Sequence, residues 1–306
     1  MTMTSLPRSV RIVEVGARDG LQNQPSAVST AHKVELIERL CDTGIRHIEA
    51  GAFVSPKWIP TMADSAEVMR LINRKDDVVY STLTPNLKGM EAALEAKASE
   101  VAVFISATES FSMRNTNCSI EEALARAQPV ISLAKQNDIR VRGYISCVLG
   151  CPWEGDDVDQ SKIADFTVQL LEMGCFEVSL GDTIGRGTPG KVKSLIAAIT
   201  EQVDASKIAA HFHNTYGQAL ANIYAALEMG VCVVDSSVAG LGGCPYARGA
   251  TGNVATEDVI YMLNGLGIET GVDLDKMVDV ACFIQDTLGI KVDSNASRAI
   301  KTKRLA

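Results

Sequence analysis

Along this 306-residue chain, short apolar runs rich in β-branched residues alternate with longer stretches of helical period. The runs are VRIVEV (10–15), IRHIEA (45–50), DVVYSTL (77–83), EVAVFIS (100–106), IRVRGYIS (139–146), CFEVSL (175–180), KIAAHFH (207–213) and VCVVDSSV (231–238). Their length and composition predict strands. Between the first two, Ser29 and Thr30 stand where a helix cap belongs. Val34, Ile37, Leu40 and Cys41 then share one helical face, and Gly44 can end the helix. The stretch from Ala209 to Gly230 repeats the scheme, passing from strand to helix. Strands alternating with helices imply parallel β-α units. Eight such units predict an α/β fold of the (β/α)8 TIM-barrel type, whose usual length is about 250 residues. The expectation is one catalytic domain over 1–306, with the barrel over about 10–265 and a short C-terminal helical extension over about 266–306. An open doubly wound sheet is the competitor, but it usually has fewer strands, and no G-x-G-x-x-G follows the first run.

A barrel places its active site at the C-terminal ends of its strands. The polar residues there should therefore converge on one mouth: Arg18 and Asp19 after the first run, Glu49 in the second, Thr84 after the third, Asp182 after the sixth, His211 and His213 in the seventh, and Asp235 in the eighth. Successive odd positions of a strand share a face, so His211 and His213 would both look into the mouth. Paired imidazoles on one face suit a divalent metal; two histidines satisfied by hydrogen bonds are the alternative. Asp19 is the strongest oxygen candidate, although R-D-G is also an ordinary turn sequence. Oxygen ligands from carboxylates and amides would favour Mg²⁺ or Mn²⁺ over zinc. The stretch AGLGGCPYARGATGN, Ala239–Asn253, is glycine-rich, carries Cys244 and ends in Asn253. It reads as a lid over the mouth, with Cys244 either an ordinary thiol or a proton donor delivered by closure, and Asn253 a further amide ligand. The segment lacks the Lys and Ser/Thr ending of an ATP-binding loop.

Composition narrows the partners. Net charge is −8, which argues against nucleic acid or an anionic membrane surface as the main partner. No apolar run approaches the roughly 20 residues needed to span a bilayer. Eight scattered cysteines fit a reducing cytoplasm better than a disulfide framework.

The segments VEVGARDGLQN, FVSPKWIP, NCSIEE, VRGYISCVLGCPWEG, SLGDTIGRGTPG, HFHNTYGQALAN and DSSVAGLGGCPYARGATGNVATEDVIYML resemble the 3-hydroxy-3-methylglutaryl-CoA (HMG-CoA) lyases, from about residue 10 to residue 273. R-D-G and H-x-H are shared with a broad superfamily of metal-dependent barrels; the cysteine-containing motifs are narrower. The resemblance implies metal-dependent cleavage of (S)-3-hydroxy-3-methylglutaryl-CoA to acetyl-CoA and acetoacetate, as in leucine breakdown and ketone-body formation. It implies Asp19, His211, His213 and Asn253 as metal ligands, Arg18 as the charge that meets the thioester enolate, and Cys244 as a proton carrier. Glu49, Asp182, Glu257 and Asp258 fall on acidic positions that the family keeps in or near its site. The general base stays open between Asp19, His211 and a metal-bound water, with Asp19 favoured. A homodimer acting on an acyl-CoA is the implied assembly and partner. Because the chain ends in KTKRLA rather than a peroxisomal signal, the expected location is cytoplasmic.

The sequence departs from the family pattern at Asn214, where Asp is common, at Pro25, where animal enzymes have Lys, and at IEAGAF after the second run. These leave room for a lyase acting on a differently substituted 3-hydroxyacyl-CoA. Other rivals are a same-superfamily aldolase or condensing enzyme, a metal-dependent hydrolase and a catalytically dead barrel. Condensing synthases usually carry a long C-terminal extension, and the hydrolase needs further histidines where only His32 and His47 remain. The third should have lost ligands that this chain keeps.

Overall fold

The computed structural model describes residues 6–24, 28–243 and 252–305. Eight parallel strands close into a barrel in chain order. They are β1 (Arg11–Glu14), β2 (His47–Ala52), β3 (Val79–Leu83), β4 (Glu100–Ser106), β5 (Arg140–Ser146), β6 (Glu177–Asp182), β7 (Ile208–Phe212) and β8 (Val233–Ser236). All eight expected strands are present, with ends shifted by no more than two residues. The helices are α1 (Thr30–Asp42), α2 (Ser65–Leu71), α3 (Leu87–Glu95), α4 (Glu109–Thr116), α5 (Ile120–Gln136), α6 (Gln160–Met173), α7 (Pro189–Thr200), α8 (Ala219–Glu228) and α9 (Thr256–Gly265). Beyond them lie α10 (Leu274–Leu288) and α11 (Asn295–Leu305).

Local chemistry explains the elements. Ser29 accepts the His32 N–H and starts α1, which buries Leu36, Ile37, Leu40 and Cys41 on one face. Each such aliphatic side chain contributes about 1.5–3 kcal/mol when fully buried. Gly44 follows with φ +102°, a backbone that favours glycine. Ser119 and Glu122 form a reciprocal capping box at the head of α5.

Strand register fixes what meets inside the barrel. His211 of β7 pairs in register with Asp235 of β8, and Gly181 of β6 with His211. On the other side, Arg142 pairs with Glu177 and Tyr144 with Ser179. These residues are all buried, so the lumen is partly polar rather than a plain stack of aliphatics.

The head of the last helix is capped by a carboxylate. Asp258, at the start of α9, accepts from Ser294 Oγ at 2.9 Å and from the backbone N–H groups of Asn295 at 3.2 Å and Ala296 at 2.7 Å. Those N–H groups lie at the start of a helix and have no partner within it. Asp258→Ala should lower the unfolding free energy by about 1–3 kcal/mol and raise amide exchange first in residues 295–298, because a buried cap is lost. Hydrogen exchange with denaturant titration checks this; unchanged exchange in α11 would contradict it.

Candidate active site

The turn after β1 is built for display. Gly16–Gly20 forms a single π-helical turn, closed by the Gly20 N–H donating to Val15 O at 3.1 Å. Such turns recur at functional sites. It aims Arg18 and Asp19 into the mouth. A Cβ on Gly20 would lie 2.7 Å from Leu241 Cβ, so only glycine lets this turn pack against the segment after β8.

Asp19, His211 and His213 bring one ligand atom each to within 4.8 Å of one another. Their environments favour metal binding. Burial pushes the Asp19 carboxyl up, but Arg18, His211 and His213 outweigh it and hold the group at about 2. Burial, then the neighbouring His211, pushes His213 down to about 4, so its imidazole is neutral at pH 7. His213 Nδ1 is buried with no hydrogen-bond partner among the described residues, an orphaned lone pair or N–H in a polar site. His211 Nδ1 lies 3.1 Å from Asp235 Oδ2. Nδ1–H donated to a carboxylate is the arrangement commonly found behind a metal-binding histidine; burial lowers the His211 pKa, but Asp235 and Asp19 outweigh it and raise it, so a cation at Nε2 would take the place of a proton. A carboxylate and two imidazoles are a donor set that fits a divalent cation.

Asn253 joins them across an isolated antiparallel bridge to His213. Its amide nitrogen donates to Asp19 Oδ2 at 2.7 Å and to Leu241 O at 3.2 Å. The amide thus touches the cluster through nitrogen rather than through the oxygen a cation would need; a half-turn about the terminal bond exchanges the two. Gly242, φ +149°, makes room for it: a Cβ there would lie 2.8 Å from Asn253 Nδ2.

Arg18 is clamped between two carboxylates. Its Nε donates to Glu49 Oε2 at 2.6 Å and its Nη1 to Asp19 Oδ1 at 2.7 Å. The pairs keep the guanidinium charged although it is buried. Burial raises the Glu49 pKa against the opposing pull of Arg18. Its second oxygen, Oε1, is buried and has no hydrogen-bond partner among the described residues.

Behind the cluster, around the expected Asp235, stands a polar wall whose other members the sequence did not single out. Arg142 grips Asp235 with Nη1 at 2.9 Å and Nη2 at 2.7 Å, and Ser179 Oγ donates to Asp235 at 2.8 Å. Arg142 also reaches Glu177 at 2.8 Å and Tyr144 Oη at 2.9 Å. The Tyr144 ring lies 6.0 Å from the Arg18 guanidinium and stands edge-on to His211. The signal was the alternation of Arg140, Arg142, Tyr144 and Ser146 in β5, a polar face where a barrel strand would ordinarily be apolar.

Besides Asp258, two expected acids serve the backbone. Asp182 accepts from Arg186 N at 3.1 Å and Gly187 N at 2.8 Å, holding the loop after β6. Burial lifts its carboxyl to about 6. Glu257 accepts from Ala239 N at 3.0 Å and from Ser297 Oγ at 2.7 Å. It braces the turn that leads into the glycine-rich stretch. Glu14, missed in the sequence, does likewise from the opposite side, accepting from Gly16 N, Val238 N and Thr256 Oγ1. Asn214 Oδ1 accepts the Ala219 N–H at the start of α8, a task that Asp or Asn can perform. His32 and His47 lie in α1 and β2, as expected. Cys244 and Pro25 lie outside the described residues.

Comparison with known proteins assigns this geometry to a family. The HMGL-like family model matches residues 9–284.

The chain belongs to the HMGL-like family.

This HMGL-like chain is 56% identical over 299 residues to the 3-hydroxy-3-isohexenylglutaryl-CoA/hydroxy-methylglutaryl-CoA lyase of Pseudomonas aeruginosa, covering 98% of this chain and 99% of that one. It is also 56% identical to the mitochondrial hydroxymethylglutaryl-CoA lyase of Gallus gallus, covering 96% and 99%. The solved structure of an HMG-CoA lyase from Acinetobacter baumannii, in complex with coenzyme A and 3-methylmalate, superposes with a TM-score of 0.92 at 35% identity, covering 97% of each chain. Among the described residues no helix is long and apolar enough to cross a membrane.

The buried acids of this HMGL-like barrel carry a pH signature. Burial is the largest cause that raises Glu257 to about 8 and Glu14 to about 7, against an ordinary 4.5. A raised folded pKa means that stability is complete below the unfolded pKa and is lost as pH rises through the folded one. The thermal midpoint should therefore fall between about pH 5 and about pH 9, and Glu257→Gln should reduce that fall. Equal slopes for the two proteins in calorimetric scans would contradict the assignment.

Proposed function

We propose that this chain cleaves (S)-3-hydroxy-3-methylglutaryl-CoA to acetyl-CoA and acetoacetate as a carbon–carbon lyase. The convergence of Asp19, His211 and His213 at the barrel mouth, beside a buried Arg18, carries the reading. The family match and the lyase names of the relatives support it.

Asp19, His211, His213 and the Asn253 amide would hold a divalent cation, proposed as Mg²⁺ or Mn²⁺. When bound, such an ion acidifies a substrate hydroxyl and fixes its orientation. As a base takes the hydroxyl proton, the C–C bond breaks, acetoacetate leaves as the ketone and the electron pair moves onto the thioester oxygen. Arg18 meets that charge, and Glu49 keeps the guanidinium aimed. Its charge is permanent, and the oxyanion it meets develops only late in the reaction, where binding the transition state more tightly than the ground state gains rate. Asp19, held near 2 by its cationic neighbours, is poorly matched to the role of resting base at neutral pH and better matched to holding cations. Asp182 and Glu257 act as positioning residues for the loops around the mouth. Cys244 is proposed to deliver the proton that converts the enolate to acetyl-CoA.

A second reading, a longer C3 substituent, is favoured by one observation: the Pseudomonas relative is named for both the isohexenyl and the methyl substrate. The chain is further proposed to be a cytoplasmic homodimer. A mouse relative named as cytoplasmic, 54% identical, supports the location.

The test follows acetoacetate and acetyl-CoA from HMG-CoA in the presence of Mg²⁺, with the isohexenyl analogue in parallel. Cleavage should vanish with chelator and with His213→Ala, and Arg18→Gln should cut kcat by about 10²–10³-fold. Cleavage of the isohexenyl ester alone would move the assignment to the second reading. Cleavage unaffected by chelator would overturn the metal role, and no cleavage of either ester by folded, cation-loaded protein would overturn both substrates.

A further inference from the structure

The mouth of this barrel is tied to its opposite end by a line of buried charges. Glu177 is the first residue of β6 and Arg11 the first of β1, so both stand at the N-terminal ends of the strands, away from the mouth. Arg11 Nη2 donates to Glu177 Oε2. Glu177 Oε1 accepts from Arg142 Nε at 2.8 Å, and Arg142 continues the line to Asp235 through Nη1 at 2.9 Å and Nη2 at 2.7 Å. The line ends where Asp235 Oδ2 meets His211 Nδ1. The side chains of Glu177, Arg142 and Asp235 are all buried.

This line crosses the barrel rather than following the sheet. Arg142 and Glu177 are register partners on adjacent strands. In the closed order, however, β5 and β8 are not neighbours, and neither are β6 and β1. The contacts from Arg142 to Asp235 and from Arg11 to Glu177 therefore span the lumen. Alternate positions of a strand share a face, so the lumen positions next to Arg11, His211 and Asp235 are Val13, Ala209 and Val233. These pack as a small apolar cluster that offers a guanidinium no acceptor. The plane of Arg142 is set instead by carboxylates on two of its edges, Glu177 at Nε and Asp235 at the two Nη atoms. Burial lowers the Arg142 pKa, but Asp235, Tyr144 and Glu177 outweigh it and keep the group charged.

We propose that Glu177 is a positioning residue for His211, acting from the far end of the barrel through Arg142 and Asp235. The inference rests on the reading of His211 as a cation ligand. Without the Glu177 carboxylate, the guanidinium is gripped on one edge and can swing. Asp235 follows it, because a buried carboxylate does not give up its ion-pair partner without a large cost. His211 Nδ1 then loses the fixed acceptor that sets the ring. A group bonded directly to a ligating histidine typically matters about 10–100-fold in metal affinity; Glu177 stands two contacts further back and should matter less. Glu100 is the matched control. It is the first residue of β4, is buried at the same end of the barrel, and accepts from Arg140 Nη2 at 2.8 Å, a pair that stands outside the line.

Two readouts compare the wild-type protein with Glu177→Leu and Glu100→Leu. The first needs no cation: NMR of histidine-labelled protein follows the Nδ1–H proton that His211 shares with Asp235, assigned by its loss in His211→Asn. The second is Mn²⁺ affinity, read from the paramagnetic resonance of the free ion. Glu177→Leu should shift and broaden the proton signal and weaken Mn²⁺ binding by about three- to tenfold, while Glu100→Leu leaves both as in the wild type. Where Glu177→Leu does not fold, Glu177→Asp, whose carboxylate stops one methylene short of Arg142, carries the same expectations. An unchanged proton signal and affinity in a folded Glu177 variant would overturn the proposal. Equal changes in the Glu177 and Glu100 variants would overturn it too, since they would mark a general loosening of the barrel. Because the histidine signal is read without cation, it decides the positioning role by itself; a wild-type protein that held no Mn²⁺ would count against the cation reading instead.

Discussion

The buried carboxylate of Asp235 is the point from which the site is built. It receives two nitrogens of Arg142, the hydroxyl of Ser179 and Nδ1 of His211. Burial alone would push its proton affinity up; Arg142 and His211 outweigh that and keep it well below the usual carboxylate range. A charge so deep is tolerable only when all its neighbours are in place, because an unpaired buried ion costs several kcal/mol. That demand locks the His211 ring and leaves its outer nitrogen for the mouth. The strand register makes the contact unavoidable, since His211 and Asp235 are direct partners on adjacent strands.

The rest of the barrel serves this constraint from two sides. The π turn after β1 supplies Asp19 and Arg18, and Glu49 on β2 fixes the guanidinium from behind. Glu14 and Glu257 tie that turn and the turn after β8 to α9 and α11. The glycine-rich stretch therefore leaves from a braced platform, with Asn253 returning beside Asp19.

Much of this was legible in the sequence, for physical reasons. A buried parallel strand must be apolar and β-branched, so all eight runs stood out, and their ends pointed at Arg18, Asp19, Glu49, His211, His213 and Asp235. What periodicity does not reveal is the use a buried acid finds. Asp182 and Glu257 sit next to the mouth in sequence, yet their oxygens are occupied by N–H groups of turns, contacts between segments whose approach depends on barrel closure. Arg142 and Tyr144 were passed over because a strand interior reads as core. In a barrel with a polar lumen, charges at alternate positions of one strand are a functional signal, and β5 carried it plainly.

The central claim is that His211 and His213 both offer a ring nitrogen to one cation beside Asp19. Pulsed electron paramagnetic resonance of the wild-type protein loaded with one equivalent of Mn²⁺ tests it directly, because ligated imidazole nitrogens modulate the electron spin echo. The account predicts modulation from two such nitrogens on a single bound ion. An ion held by oxygen ligands alone, or by one imidazole, would contradict it.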